Sequence, residues 1–506
     1  MRLVTPLEML KLEEKTNAAG CTYDMMMEHA GKGLAEHLTS IAENAGAGRI
    51  LFLCGNGNNA GDCFVAARLL SPKFEVTVCM VNGPVKTRTA HTQFYKMRDI
   101  RVLNDTEEIR EATRSAELIV DGVFGIGFRG ELSPYIRELF AAAAETGAPI
   151  IAVDIPSGAS GLSGTVVEGT PRCSATVTFG AAKLGLFLAP LSSYCGAVYL
   201  VEIGIPQDAF DGLRYPVTHI NADEVQRVMP ARPDHSHKGM FGRLLGIAGS
   251  RNMPGAAILA SQAALRCGVG TYCLGSSVEN CRMLIQSTPE AMMLPLPTDE
   301  DGILTVNGAD TILEYAKSCS AVIIGCGLGS SVSVRMLIEK LIAELTCTIV
   351  LDADGLNAIA DQIDILHRAK ATVILTPHPG EMSRLLHIST ADIEKDRLSA
   401  AKRLATRFPK TVVVLKGAGT IVATAERSAV NTTGNSGMSK GGSGDVLAGM
   451  IGSFAAQGIT PEDAARISVY LHGLAGDCAA AEFTRRAMLP SDLIRQLPLV
   501  FGDYDT

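Results

Sequence analysis

Short apolar and β-branched runs recur along the first half of the chain at residues 50–54, 75–81, 118–123 and 149–153. Glycine-rich loops and alanine-rich stretches of helical period lie between them, an alternation that predicts parallel α/β structure. A second series, at residues 243–248, 321–325, 348–352, 372–375 and 411–415, predicts a second sheet. Between the series Pro206, Pro216, Pro230 and Pro233 interrupt any long element, which sets the boundary near Arg214 and the domains at 1–213 and 214–506. The halves share no motif, so the pattern indicates a fusion of different modules rather than a duplication.

Composition narrows this picture. At 506 residues the chain exceeds what one core serves. With 47% hydrophobic and 19% charged residues it is too apolar to be disordered. A net charge of −8 and the lack of any basic run argue against nucleic acid as a ligand. The 13 cysteines are odd in number and form no C-x-x-C pair, the pattern of reduced, buried thiols. Neither a secretory leader nor a membrane span is evident, so a cytoplasmic protein with no membrane partner is expected.

The first chemical loop is Gly55-Asn56-Gly57-Asn58-Asn59-Ala60-Gly61-Asp62, between a predicted strand and a helical run at 64–70. A strand, a glycine turn and a helix start make an anion site, because free N–H groups and the helix dipole face the ligand. The loop fits G-x-G-x-x-A, but Glu75 would open the second strand where a ribose-binding acid should close it, so no redox dinucleotide fold is assigned. A ligand-free turn rich in Gly and Asn remains an alternative for the loop alone. Asp121-Gly122-Val123-Phe124-Gly125-Ile126-Gly127 and Asp154-Ile155-Pro156-Ser157-Gly158 each end a further strand. Asn59, Asp121, Asp154 and Ser157 therefore converge in the expected crevice, with oxygen donors that suit a hard cation or a polyhydroxylated ligand.

These loops, with Met27-Glu28-His29-Ala30-Gly31 and Thr178-Phe179-Gly180-Ala181-Ala182-Lys183, resemble the YjeF N-terminal domain, the NAD(P)H-hydrate epimerase, over residues 6–206. The resemblance implies a Rossmann-like three-layer αβα domain. It implies that Asn59, Asp121 and Ser157 hold a potassium ion. It also implies that the hydrated nucleotide meets Asn58, Asn59, Ala60, Gly61 and Asp62, the loop Gly125, Ile126, Gly127, Phe128, Arg129, Gly130 and Glu131, and Asp154. Asp154 is the candidate acid/base, since inverting carbon 6 of a hydrated nicotinamide needs a positioned proton carrier, and Lys183 is a candidate assistant. Ala60 and Cys63 stand where the family usually has glycine. Cys63 is expected to be a packed thiol.

The second loop is Asn435-Ser436-Gly437-Met438-Ser439-Lys440-Gly441-Gly442-Ser443-Gly444-Asp445, before an expected amphipathic helix at 446–454. Glycines that leave N–H groups free at a helix start steady a phosphoryl group in transfer, and Asp445 beside them can take the proton of an attacking hydroxyl. A plain helix cap is the alternative for Asp445. No G-x-x-x-x-G-K-[ST] sequence is present, so the chain is not a P-loop enzyme.

Gly249-Ser250, Gly255-Ala256-Ala257, Gly325-Cys326-Gly327-Leu328-Gly329, Leu351-Asp352-Ala353-Asp354, Thr376-Pro377-His378-Pro379-Gly380-Glu381 and Leu415-Lys416-Gly417-Ala418-Gly419-Thr420 complete the set. Together with Gly442 to Asp445 they resemble the ADP-dependent NAD(P)H-hydrate dehydratase, a ribokinase-like family, over residues 221–497. This implies that Lys416, Gly417, Ala418, Gly419, Thr420 and Gly444 bind ADP, with magnesium, and that Ala257, Gly329, His378 and Asp445 contact the hydrated dinucleotide. Cys326 replaces a usual proline, and His378 has the alternative of merely ordering its loop. His235-Ser236-His237-Lys238 reads as a linker or entrance lid rather than a metal site.

The implied activity is repair of hydrated NADH and NADPH, with epimerisation in one half and ADP-dependent dehydration in the other. The rival readings are a ribokinase-like vitamin kinase acting on a hydroxymethylpyrimidine or thiazole, and a non-catalytic scaffold for the first half. A homo-oligomer, tetramer or larger, is expected.

Overall fold

The computed structural model describes residues 2–213 and 216–504, so the expected boundary residue Arg214 lies outside the described residues. The chain forms two compact units, Met1–Pro216 and Val217–Thr506.

The first unit contains β1 (Arg2–Val4), β2 (Arg49–Cys54), β3 (Glu75–Met80), β4 (Arg101–Leu103), β5 (Leu118–Gly122), β6 (Ile150–Val153), β7 (Ala175–Phe179), β8 (Ala182–Lys183) and β9 (Ala197–Val201). Seven of them form a parallel sheet in the order β4-β3-β2-β5-β6-β7-β9. The period of two along β2 builds two cores. Ile50, Phe52 and Cys54 pack with Leu34, Leu38 and Phe64 of the helices Tyr23–Ala45 and Asn58–Leu70. Leu51 and Leu53 pack with Ile109, Ile136 and Phe140 of the helices Thr106–Ser115 and Pro134–Glu145. Strands buried on both faces read as continuous apolar runs, which is why the four predicted strands were visible in the sequence. The chain runs outward from β2 to β4 and then crosses to β5, so the strand order reverses between β2 and β5. That reversal opens a crevice at their carboxyl ends. Separately, β1 pairs with β8, Leu3 opposite Ala182 and Val4 opposite Lys183, which anchors Lys183 against the start of the chain.

The second unit contains β10 (Val217–His219), β11 (Arg243–Ile247), β12 (Thr271–Ser276), β13 (Met292–Pro295), β14 (Ala321–Ile324), β15 (Thr348–Leu351), β16 (Val373–Leu375), β17 (Thr411–Leu415), β18 (Thr420–Ala423) and β19 (Ser428–Asn431). They are ordered β13-β12-β11-β14-β15-β16-β17-β18-β19-β10, parallel up to β17, with antiparallel β17-β18 and β18-β19 pairs. Here the order reverses between β11 and β14.

One helix departs from its expected character. The run expected as an amphipathic helix at 446–454 is helix Ser443–Ala456, and every residue from Val446 to Ala456 is buried. It packs into one core with the helices Pro254–Arg266, Pro461–Ala487 and Pro490–Gly502, so no polar face is needed. Among the described residues no helix is long and apolar enough to cross a membrane.

Candidate active sites

In the first unit β2 and β5 deliver their loops to one place. A Cβ on Gly55 would fall 2.0 Å from the Val123 carbonyl oxygen, so only glycine lets the two strand ends approach this closely. Helix Asn58–Leu70 begins at Gly57 with no side-chain cap, leaving its first N–H groups for a ligand. Asn59 and Asp154 both face Gly125: a Cβ there would lie 3.3 Å from Asn59 Oδ1 and 3.5 Å from Asp154 Oδ2. The buried Asn59 Nδ2 has no partner. Ala60, Gly61 and Cys63 are buried, while Asn58 is exposed and its Oδ1 accepts from Thr89 Oγ1 at 3.0 Å. In the loop after β5, Gly127, Arg129, Gly130 and Glu131 are exposed, and Gly125, Ile126 and Phe128 are half-buried. Glu75 is exposed at the amino end of β3, far along the strand from this crevice, consistent with its exclusion as a ribose ligand.

Two buried carboxylates define the chemistry. Asp121 accepts from Ser157 Oγ at 2.5 Å and Ser157 N at 2.8 Å, and Phe124 N donates to Ser157 Oγ at 2.8 Å. Burial pushes the Asp121 carboxyl up to about 6, against those hydrogen bonds. Among the described residues no cation pairs with it; Val123 N, 3.3 Å away, is its remaining hydrogen-bond partner. Asp154 sits with φ +68°, a strained conformation that aims its carboxylate at Lys183 Nζ, 2.6 Å away. Lys183, 2% exposed, also donates to Phe179 O at 2.9 Å and Thr178 Oγ1 at 3.2 Å.

Asp62 and a residue absent from the sequence reading, Glu13 of helix Pro6–Ala18, share this field. Burial, then Asp154 and Glu13, raise Asp62 well above the carboxylate range. Burial, opposed by Lys183, raises Glu13 to about 7. Glu13 had no signal in the linear sequence, because its helix lies far from any motif and reaches the site only through the fold.

In the second unit the loops after β14, β15, β16 and β17 meet the start of helix Ser443–Ala456. That helix begins at Gly442, φ +107°, again with no side-chain cap. Asp445 is its third residue, so the capping alternative does not apply. The carboxylates of Asp445 and Asp352 and the thiol of Cys326 offer atoms within 4.8 Å of one another. Burial, then the nearby Asp352, push Asp445 up to about 6. Asp352 accepts from Lys416 Nζ at 2.7 Å and Thr376 Oγ1 at 2.6 Å. Burial works against the charge on Lys416, but Asp352 and Glu381 outweigh it and raise the ammonium above its ordinary value. The Lys416 ammonium also lies beside Gly444, 3.3 Å from where a Cβ would sit. Ala353 has φ +48°, a second strained turn at a site.

The remaining candidates fall around this cluster. Gly329 N donates to Asp354 Oδ2 at 2.8 Å. Ala257 is buried, its methyl 3.0 Å from a Cβ built on Gly249. His378 caps helix Pro379–Leu386, its Nδ1 accepting from Gly380 N at 3.0 Å, and its ring remains half exposed. It therefore orders its loop and still presents an edge to solvent. Gly417 and Ala418 turn outward and are exposed after β17, Gly419 is half-buried, and Thr420 opens β18. Arg397, unnoticed in the sequence, is buried beneath that turn and donates to the Leu415 and Lys416 carbonyls at 3.2 Å each. His237 caps a short turn through Gly239 N, and both His235 and His237 are exposed, with no metal cluster around them among the described residues.

The first unit is thus a Rossmann-like αβα domain, and the second a ribokinase-like domain whose glycine-rich helix start and adjacent carboxylate suit phosphoryl transfer. The NAD(P)H-hydrate dehydratase family model matches residues 244–499, and the model of the YjeF-related protein N-terminus matches residues 23–185. A bifunctional NAD(P)H-hydrate repair enzyme of Moorella thermoacetica is 35% identical, covering 100% of this chain and 97% of that protein. The Escherichia coli enzyme of the same description is 34% identical over 96% of this chain and 90% of its own length. A crystal structure of a ribokinase-like superfamily protein from Enterococcus faecalis, 27% identical, superposes with a TM-score of 0.50 over 57% of this chain and 96% of its own. The chain belongs to the family of bifunctional NAD(P)H-hydrate repair enzymes, a membership that spans both units and favours neither the vitamin-kinase nor the scaffold reading.

Proposed function

We propose that residues 1–213 epimerise the R and S hydrates of NADH and NADPH, and that residues 214–506 dehydrate the S form at the expense of ADP. The observation that carries the second half is Asp445, a carboxyl that burial and Asp352 push up to about 6, at the mouth of an uncapped helix, beside the Lys416–Asp352 pair. Lys416, Gly417, Ala418, Gly419, Thr420 and Gly444 take the ADP, and Ala257, Gly329, His378 and Asp445 shape the subsite of the hydrated nicotinamide. Asp445 accepts the proton of the carbon 6 hydroxyl as its oxygen attacks the β-phosphorus and the bond to AMP breaks. Phosphate then departs with the C–O electrons as the ring nitrogen donates its pair, and loss of a ring proton restores the reduced nicotinamide. The Gly444 N–H and Lys416 steady the charge on the phosphoryl oxygens. A magnesium ion accompanying the nucleotide would neutralise its phosphates, and the Asp352 carboxylate, whose Oδ2 lies 3.8 Å from where a Cβ on Gly444 would sit, would meet it.

In the first unit Asp154 carries the proton that moves as the carbon 6 hydroxyl leaves and returns, or as the ring opens and recloses, and Lys183 holds its carboxylate in place. The loops 58–62 and 125–131 hold the nucleotide. Asn59, Asp121 and Ser157 would hold potassium, whose charge would compensate the buried Asp121 and firm the turn that carries the loop after β5. A cytoplasmic homo-oligomer, tetramer or larger, completes the proposal.

The test supplies the protein with mixed R and S NADH hydrate, magnesium and ADP, and follows reduced-nicotinamide absorbance. Full recovery is expected. Recovery of the S fraction alone would remove the epimerase, and no recovery would remove the dehydratase.

A further inference from the structure

His472 lies outside every loop assigned above, in the middle of helix Pro461–Ala487, and is 8% exposed. Its Nε2 is 3.0 Å from the carbonyl oxygen of Ser443. A carbonyl only accepts, so the ring carries its proton on Nε2 and donates. Burial pushes the imidazole down to about 4; the bond to Ser443 opposes this and the Lys416 charge adds to it. At neutral pH the ring is uncharged and can sit near Lys416 without repelling it.

The carbonyl that His472 grips belongs to the same peptide unit as the Gly444 N–H. That unit is planar, with C=O and N–H fixed on opposite sides, so holding the oxygen fixes the direction of the N–H. A hydrogen bond to the oxygen also polarises the amide and strengthens its N–H as a donor.

The surrounding contacts keep this grip in register. Asn431 Nδ2 donates to Val469 O at 3.0 Å, Thr433 Oγ1 to Tyr470 O at 2.8 Å, and Asn435 Nδ2 to Asp477 Oδ1 at 2.9 Å. Gly473, beside His472, lets the helix approach so closely that a Cβ would fall 2.6 Å from the Thr433 carbonyl group. Two turns of the helix therefore clamp the segment that leads into the glycine turn, and His472 is the clamp's contact with the turn itself.

We infer that His472 is a positioning residue of the dehydratase, an imidazole donor that holds the Ser443–Gly444 peptide so that its N–H faces the transferring phosphoryl group. The inference rests on the roles proposed above for Gly444 and Asp445. It predicts an effect on the transition state rather than on binding, since phosphoryl charge shifts most during transfer.

The experiment compares His472→Leu, which keeps bulk and removes the donor, with His472→Gln, which returns an N–H at similar reach, both in the full chain. Dehydration kcat is expected to fall about tenfold in the Leu variant, with KM for the S hydrate changed less than about twofold and epimerisation unchanged. The Gln variant should recover to within about threefold of wild type. Equal kcat for the Leu and Gln variants, at any level, would overturn the inference. If the Leu variant does not fold, His472→Asn, whose amide is too short to reach, replaces it in the same contrast. Asp445→Asn is assayed alongside. An active Asp445→Asn variant overturns the underlying reading and the inference together, whereas an inactive one beside a fully active Leu variant overturns the inference alone.

Discussion

The two crevices stand at the same place in their sheets, the reversal of strand order, and each faces a helix that starts without a side-chain cap. They are furnished differently. The first is built from side chains: Asp154 tied to a fully buried Lys183, and Asp121 tied to Ser157. The second is built largely from backbone, with glycines opening a helix start, and Lys416, paired with both Asp352 and Glu381, placed to the side of Asp445. Epimerisation breaks and remakes one bond at carbon 6 with a proton carried alongside, a task for one aimed carboxylate and its ammonium partner. Phosphoryl transfer spreads charge over several oxygens, which a fan of N–H groups meets without the flexibility of side chains.

The contrast predicts where each site is fragile. Lys183→Met breaks the side-chain site at its centre. Epimerisation should fall at least about 100-fold, and the stranded Asp154 should cost about 3 to 5 kcal/mol in unfolding of the first unit, measured by denaturant titration. Dehydration should be untouched, and an epimerase rate within about twofold of wild type would remove Lys183 from the site. Arg397→Lys tests the backbone site more gently. Losing the guanidinium fork beneath the Lys416–Gly417 turn should raise the KM for ADP about tenfold with kcat within about twofold. An unchanged KM would show that the turn holds itself.

A smaller effect follows from pH. Asp121 and Asp445 have folded values near 6, against an ordinary 3.8. The fold therefore binds their protons more tightly than the unfolded chain does. Their contribution to stability is complete below about pH 3.8 and is lost as pH rises through about 6. Dehydration should accordingly decline below about pH 6, as its base becomes protonated. Potassium at Asp121 relieves the ionised carboxylate, so it should raise the Tm by about 2 °C more at pH 8 than at pH 5. Equal shifts at both pH values, or a shift that survives Asp121→Ala, would place the ion elsewhere. The smallest effect is expected at Cys63, a fully buried thiol lodged against Gly122, which burial raises well above its ordinary value. Cys63→Ala should leave epimerisation within about twofold, and a larger loss would make the thiol part of the chemistry.

How much of this was legible depended on how local each feature is. The strands buried on both faces, β2, β5, β14 and β15 among them, announced themselves as apolar runs between glycine loops. The strands that escaped notice include the largely exposed edge β9, the four-residue β18 and β19, and the buried β7 and β12, whose runs Ala175–Phe179 and Thr271–Ser276 mix threonine, glycine and serine with apolar residues and so lack a continuous apolar signal. The loop residues Asn59, Asp121, Asp154 and Asp445 carried their own signal, because glycine beside a polar side chain at a strand or helix end is a local pattern. Glu13, Arg397 and His472 did not. Each sits inside an ordinary helix and gains its role only from the tertiary contact that buries it. The amphipathic expectation for the last glycine-loop helix failed for a related reason, since the sheet on one side, through Leu244 and Ile323, and three other helices on the rest cover all of its faces.

The central claim is that two independent sites perform two chemistries. It is tested most directly by assaying Asp154→Asn and Asp445→Asn side by side on separated R and S NADH hydrates. Asp445→Asn should interconvert the epimers at the wild-type rate and yield no NADH, while Asp154→Asn should convert the S form with ADP and leave the R form untouched at enzymatic timescales. An equal mixture of the two variants should then restore conversion of both forms. Loss of both activities in either variant, or no restoration on mixing, would contradict the account.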